Sequence, residues 1–257
     1  MTTAAQASRS ASALGEYLWA RRSLVQPESV GLVRAGNRRV PGLRREEVAR
    51  LASISPEYYL RLEQGNDREP SDQVLRGIAR ALQLDDSAEM HLRRLRHLAA
   101  GLRPLRVDSE PSVPEDLGLL FDRWTDIPAF LMTENLSVLG ANSAAASLGD
   151  GRLRNGFNLV ESAFAGESGV GSSSFDETTA EIAAALRYHG NPYDRRFQRL
   201  VGALSIRSAR FRLLWARHDA RPLQTGRIPF GDSSSASFMC FEPSGHDGIL
   251  LAVIEQE

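Results

Sequence analysis

Between Leu43 and Ser71 the apolar positions are spaced for two short helices joined by a turn. Val48, Leu51 and Ala52 fall at i, i+3 and i+4, which buries one face of a helix of about eight or nine residues and leaves Arg44, Arg45 and Arg50 on its other sides. Ser55 and Pro56 then predict a sharp second start, a side-chain cap followed by proline at the first helical position, where a missing N–H costs nothing. Glu57 suits the positive end of the helix dipole, Tyr59 and Leu62 turn inward toward Leu51, and Gly65 stops the helix after Gln64.

The helical period continues on both sides. Leu14 and Leu18 form an i, i+4 pair on an opening helix, with Arg21 and Arg22 following. Ser71 caps a helix bearing Val74, Leu75, Ile78, Ala79 and Leu82, and Asp86 with Glu89 has the spacing of a capping box for a further helix toward Leu98. Residues 13–100 are therefore expected to form an all-α, five-helix domain around one small core. His91 and His97 on the last helix fall on different faces, which argues against metal binding and for surface positions or packing against the second domain. The prolines of GLRPLRVDSEPSVP mark residues 101–114 as a linker.

Beyond the linker the pattern mixes periods. IPAFLMTENLSVLGAN reads as a hairpin, with Phe130, Leu131 and Met132 before a turn at Glu134 and Asn135, and Val138 and Leu139 after it. Asp176 to His189, Tyr193 to Leu204 and Ser208 to His218 are helical by spacing, and three extended runs follow, Leu223 to Phe230, Ala236 to Glu242 and Ile249 to Glu255. Residues 115–257 are thus expected to be an α+β domain, an antiparallel five-stranded sheet with helices on one side, in the order of a PAS-like sensor.

Charge separates the same two regions. Residues 1–106 hold 18 Arg against 12 acidic residues, a balance of +6, and residues 107–257 hold 13 Arg against 20 acidic residues, a balance of −7. A positive domain joined to a negative one is the division expected when one approaches phosphates and the other stays off them, although solubility alone gives the same sign pattern. Lysine is absent, so every contact to phosphate or carboxylate would be made by planar guanidinium groups. One cysteine, Cys240, excludes an intramolecular disulfide and reads as a buried strand thiol or a redox sensor. No apolar run reaches membrane-spanning length, and the small polar start, residues 1–12, is expected to be a disordered tail of a cytoplasmic protein.

A short helix with a sharp start can lay its N-terminal end in the major groove of double-stranded DNA. Pro56, Glu57, Leu60 and Arg61 would then lie nearest the bases, Arg61 gripping guanine through two parallel hydrogen bonds and Glu57 accepting from a cytosine amino group. Arg44, Arg45, Ser55, Tyr58 and Arg68 would contact the backbone and set register. An ordinary helical hairpin with a solvated arginine face has the same spacing. In the second domain Trp124, Phe130, Met132, Leu139, Phe157, Phe211, Leu214, Trp215, Phe238 and Phe241 either line an apolar cavity or fill it. Arg217 and His218 are candidates for a ligand head group or simply cations at a helix C-terminus, and Asn142 caps a helix or touches ligand. No phosphate loop, nucleophile elbow or metal-ligand spacing is present, so no catalytic role, cofactor or metal is expected.

The runs LGEYLWARR, PGLRREEVARLA, SPEYYLRLEQG and PSDQVLRGIARALQL resemble the XRE-type (Cro/repressor-like) helix-turn-helix domain, and within it the MmyB-type regulators common in actinobacteria. IPAFLMTENLSVLGAN, FNLVESAF and LVGALSIRSARFRLLWARHD extend the resemblance through the second domain. It departs at Ser53, where this family usually has glycine, and in a long stretch before Leu43 that carries Arg34, Arg38 and Arg39 beside Gly36 and Gly42, either a basic arm or a surface loop. The resemblance implies a transcription regulator, expected to be a repressor, that binds a palindromic operator as a homodimer and senses a hydrophobic small molecule, with fatty acids the leading suggestion. Two other classes stay open: a helix-turn-helix that binds a protein partner, and a second domain that is a cofactor-binding sensor or enzyme.

Overall fold

The computed structural model describes residues 12–33, 40–66, 69–100, 112–148, 151–165, 173–230 and 234–255. The expected tail before Ser12, the basic residues Arg34, Arg38 and Arg39, the backbone candidate Arg68 and most of the linker lie outside them. The chain divides into two compact units, Met1–Pro104 and Leu105–Glu257.

Among the described residues the first unit holds five α-helices, α1 (Ala13–Leu24), α2 (Arg45–Leu51), α3 (Pro56–Glu63), α4 (Asp72–Ala81) and α5 (Asp86–Ala99), and one 3-10 turn at Pro27–Val30. Four of them begin on an oxygen that accepts an otherwise orphaned N–H: Ser12 from Gly15, Ser55 from Tyr58, Ser71 from Val74 and Asp85 from Ala88. The cap of α5 is Asp85 and not Asp86, which is already helical. At α2 the roles reverse, and the carboxylate of Glu47 accepts from the N–H of Arg44 at 2.6 Å. Leu14, Leu18, Leu43, Val48, Tyr59, Leu62, Leu75, Ile78, Leu82 and Leu92 close the core of all five helices.

Helix α2 is seven residues long, shorter than its apolar spacing suggests. Ala52 caps it and Ser53 turns left-handed at φ 59°, leaving Leu51 only half-buried. Serine therefore adopts the conformation that glycine takes without steric cost. The long stretch between α1 and α2 closes back on its own start: Leu43 N–H donates to the Arg22 carbonyl at 3.1 Å, and Arg22 Nη1 donates to the Leu43 carbonyl at 2.7 Å. A Cβ at Gly42 would meet that Arg22 carbonyl at 2.3 Å, so the closure needs glycine there. His91, expected on the surface or against the second domain, is buried inside this unit with its ring edge-on to Tyr17.

The second unit begins with α6 (Glu115–Arg123) and a hairpin, β1 (Ala129–Thr133) and β2 (Val138–Ala141). It continues through α7 (Ser143–Ala146), α8 (Leu159–Phe164), α9 (Ser173–His189), α10 (Arg195–Arg207) and α11 (Ala209–Trp215), and ends in β3 (Thr225–Phe230), β4 (Ser234–Phe241) and β5 (Ile249–Ile254). The five strands are antiparallel in the order β2-β1-β5-β4-β3, so the first hairpin joins the final meander through β1 and β5. Alternation along the strands sends Phe130, Met132, Phe238, Cys240, Leu250 and Ala252 to one face, where α8 to α11 cover them. The other face is not bare, as the expected one-sided arrangement had it: α6 packs Leu117 and Phe121 against Ala129, Leu131, Leu139 and Ile249.

Candidate functional site

The α2–turn–α3 segment has a buried and an outward side. Tyr59 and Leu62 face the core, while Pro56, Glu57 and Arg61 are exposed and Tyr58 and Leu60 half-buried. This follows from the sequence: the Ser55 cap and Pro56 fix where the helix starts, and that start fixes which residues look out. The Arg61 guanidinium lies 5.3 Å from the centre of the Tyr58 ring, so a cation–π contact holds it on the outer side. The segment thus presents an acceptor, a forked donor and an apolar edge together, the functional groups that read base edges in a major groove.

The inward side holds a polar group that apolar spacing alone did not single out. Glu63 ends α3 with its side chain 3% exposed and accepts from Arg22 Nε at 2.6 Å and from Arg45 Nε at 2.6 Å. Arg22 is 4% exposed and sits wholly inside, whereas Arg45 is 48% exposed. One carboxylate against two guanidiniums leaves a net positive charge, and Arg45 is the member that carries it to the surface. This revises the expected role of Arg45: it is an anchor of the fold as well as a surface cation. The triad joins α1, α2 and α3 and sets the angle at which α3 is presented. A Cβ at Gly15 would strike the Glu63 carbonyl at 2.2 Å, so α1 crosses the end of α3 at backbone contact. Burial pushes the Tyr59 hydroxyl well above the usual phenol range and the Glu63 charge adds to it, so the ring stays neutral beside the pair. The signal for Glu63 was present in the sequence, since it stands at i+4 from Tyr59 on the buried face.

Asp72 at the first turn of α4 accepts from Arg96 Nη1 of α5 at 2.5 Å. That hydrogen bond, and then the Arg96 charge, hold its carboxyl below the usual range.

In the second unit the expected pocket residues separate onto two faces of the sheet. Phe130, Met132, Phe211 and Phe238 lie in the core under α8 to α11, where Phe130 and Phe238 meet edge-on at 5.6 Å and Phe211 stacks on Trp215 at 5.2 Å. The Arg187 guanidinium sits 3.7 Å from the Trp215 ring centre, and Leu214 is buried nearby in α11. Trp124 and Leu139 belong to the cluster on the opposite face, and Phe241 is half exposed, so these three do not share a cavity with the others. Asn142 is saturated: its Oδ1 accepts from Ala129 and Ala145, and its Nδ2 donates to Trp124 and Ile127 carbonyls. With both lone pairs and both protons used it has nothing left for a ligand, and capping is its role. Helix α11 ends at Trp215, short of the expected His218; Arg217 is exposed in the turn beyond it and His218 adopts φ 54°.

Two features here were not anticipated. His189 is buried, accepts from the Leu223 N–H at Nε2 and faces Glu242 through Nδ1 at 3.1 Å, tying the end of α9 to the approach of β3. Between α7 and α8 an open groove of about 480 Å³ is lined by Gly151, Arg152, Arg154, Asn155, Gly156 and Phe157. Among the described residues no group of three or more His, Cys, Asp or Glu side chains is arranged to hold a metal, and no helix is long and apolar enough to cross a membrane.

Two family models match the chain. Residues 13–92 match a helix-turn-helix domain, and residues 113–234 match the MmyB-like transcription regulator ligand binding domain. No curated protein matches the chain.

Proposed function

With both segments in the order of an MmyB-type helix-turn-helix regulator, we propose that this chain is a sequence-specific repressor that binds double-stranded DNA as a homodimer and changes its grip when the second unit takes up a hydrophobic small molecule. The pairing of the two domain types makes the chain a ligand-responsive transcription regulator. Sequence-specific binding is supported by the outer side of α3, where Pro56, Glu57, Leu60 and Arg61 stand away from a core that fixes them from behind. Arg61 reads guanine and Glu57 a cytosine amino group. Arg44, Arg45, Ser55 and Tyr58 contact phosphates, and Arg68, which lies outside the described residues, completes the set. Two copies read the half-sites of a palindrome, spaced about 34 Å or a multiple apart.

The strand order, with all the intervening helices between β2 and β3, supports a PAS-like second domain. A fatty acid or similar apolar molecule would enter among Phe130, Met132, Phe211 and Phe238. Those side chains fill their space, so a ligand there must spread them, and a ligand that binds the spread arrangement better shifts the population toward it.

The test is binding of the purified full-length protein to DNA upstream of its own gene, at several salt concentrations and against an unrelated fragment. Specific binding whose affinity falls steeply with salt is expected, since each phosphate contact releases counterions. Absence of binding at low salt, with and without decanoate, counts against the proposal.

A further inference from the structure

We propose that the second unit docks head to tail on a second copy of this chain, the basic outer side of α10 and α11 on one copy receiving the acidic outer side of α6 on the next. The contact goes beyond the DNA and small-molecule readings and depends on neither.

Charge in this region is segregated. Residues 195–221 hold 8 arginines against one acidic residue, Asp219, while the rest of residues 107–257 holds 5 arginines against 19 acidic residues. The helical period places Arg195, Arg199 and Ile206 on one side of α10 and the core residues Phe197 and Leu204 on the other. Helix α11 turns Phe211 and Leu214 inward and Arg212 and Leu213 outward. Arg212 Nη1 donates to the Ser205 carbonyl at 2.7 Å and to the Ile206 carbonyl at 3.4 Å, so the outer sides of the two helices run into one surface. Ile206 is 82% exposed and Leu213 71%, two large apolar side chains left in water among guanidiniums. Arg195, Arg199 and Arg212 are exposed and meet no carboxylate among the described residues, whereas Arg210 is paired with Asp176 of α9 at 2.7 Å.

Helix α6 carries the complement. Its inner side covers the opposite face of the sheet through Leu117 and Phe121. Its outer side shows Glu115, Asp116, Leu119, Asp122 and Arg123, three acids against one base around a leucine that is 60% exposed, and the exposed Asp126 and Ile127 follow directly. His246 holds Asp116 at 2.8 Å, while Glu115 and Asp122 meet no base among the described residues. When the two surfaces meet, Leu119 is buried against Ile206 and Leu213, and the carboxylates around it find guanidinium forks, an apolar centre inside a charged rim. A row of arginines alone fits many partners; what selects a second copy is that both halves of the contact stand on the same unit. They lie on opposite faces of its sheet, so one copy does not close the contact on itself. The association is therefore heterologous, and each added copy leaves one surface of each kind free for the next.

Cross-linking tests the pairing in the full-length protein. Leu119→Cys and Leu213→Cys, mixed under mild oxidation, are expected to give a covalent dimer that neither variant gives alone, with the buried Cys240 staying out of the reaction. No dimer in the mixture, or as much dimer from either variant alone, overturns the proposal. Sedimentation tests the charges. The unaltered protein is expected to form species larger than a dimer at low salt and to lose them at high salt, because exposed ion pairs are screened. Arg195→Glu with Arg199→Glu and Arg212→Glu should abolish these species, as should Glu115→Arg with Asp122→Arg, and mixing the two altered proteins should restore them. Recovery on mixing also shows that both variants are folded; if either melts below the natural chain, the cross-linking result decides. Failure of two folded variants to recover on mixing overturns the pairing, as does an unaltered protein that never exceeds a dimer. If reversing the arginines lowers DNA affinity while sedimentation stays unmoved, the basic surface serves DNA and the proposal falls.

Discussion

The two units fix their geometry by different means. The first, built from helices of 7 to 14 residues, sets the pose of α3 with a buried charge cluster. The second, built on a five-stranded sheet, does so with interlocked aromatic rings. Short helices offer little apolar area, and apolar contact is non-directional, so a directional pair adds what area does not. A buried ion pair contributes little net stability but is costly to break, because the surviving charge stays buried. An aromatic core contributes much, through buried area and close ring contacts.

The sharpest way to break the contrast is to remove one member from each core. Glu63→Ala should destabilise the first unit by about 3 to 5 kcal/mol, since it leaves Arg22 uncompensated. Phe211→Ala should cost about 3 to 5 kcal/mol in the second unit only. Denaturant unfolding followed by signals from each unit should show two separable transitions, each moved by its own substitution; a single shared transition would dissolve the contrast. Arg61→Ala should lose about 1 to 3 kcal/mol of specific DNA affinity and relax discrimination at one base pair, without moving either transition. Arg45→Ala should lower affinity for all sequences and reduce the salt slope, and also weaken the first unit, a pairing that a solvated arginine would not show.

Smaller effects sharpen the comparison further. Ser53→Gly should stabilise the first unit by about 1 kcal/mol, because glycine takes the observed φ of 59° without the clash of a Cβ. In the second unit burial raises the Cys240 thiol to about 12, with the Glu242 charge adding to the shift. The raised value means that the protonated thiol is favoured by folding. Its contribution is fully present below pH 9, the ordinary thiol value, and is lost as the pH climbs from there toward 12. Stability should therefore fall more steeply above pH 9 in the natural chain than in Cys240→Ala, and alkylation of the folded protein at neutral pH should be slow.

Most elements were legible in the sequence because their signals are local. The caps at Ser55 and Ser71 act within one helical turn, and the runs of β3, β4 and β5 alternate over a few residues. What escaped depends on distance. Leu139 has the composition of a pocket residue, and only the register of β1, β2 and β5 shows that it faces α6. Glu63 shares the buried face of α3 with Tyr59, but its partner Arg22 stands 41 residues away and looks like an ordinary surface charge until the helices cross. The groove residues Arg152, Arg154 and Asn155 carry no periodic pattern at all.

The doubled hydrogen bond between Arg22 and Leu43 also makes chain length a free variable. It pins both ends of the segment that separates α1 from α2, whose first part still packs Val25, Val30 and Leu32 on the core. Doubling such a segment costs only about 0.6 kcal/mol in closure entropy. Exposed Val33, past that packed part, is a splice point, where a peptide tag or a small folded insert can be carried while α3 keeps its pose.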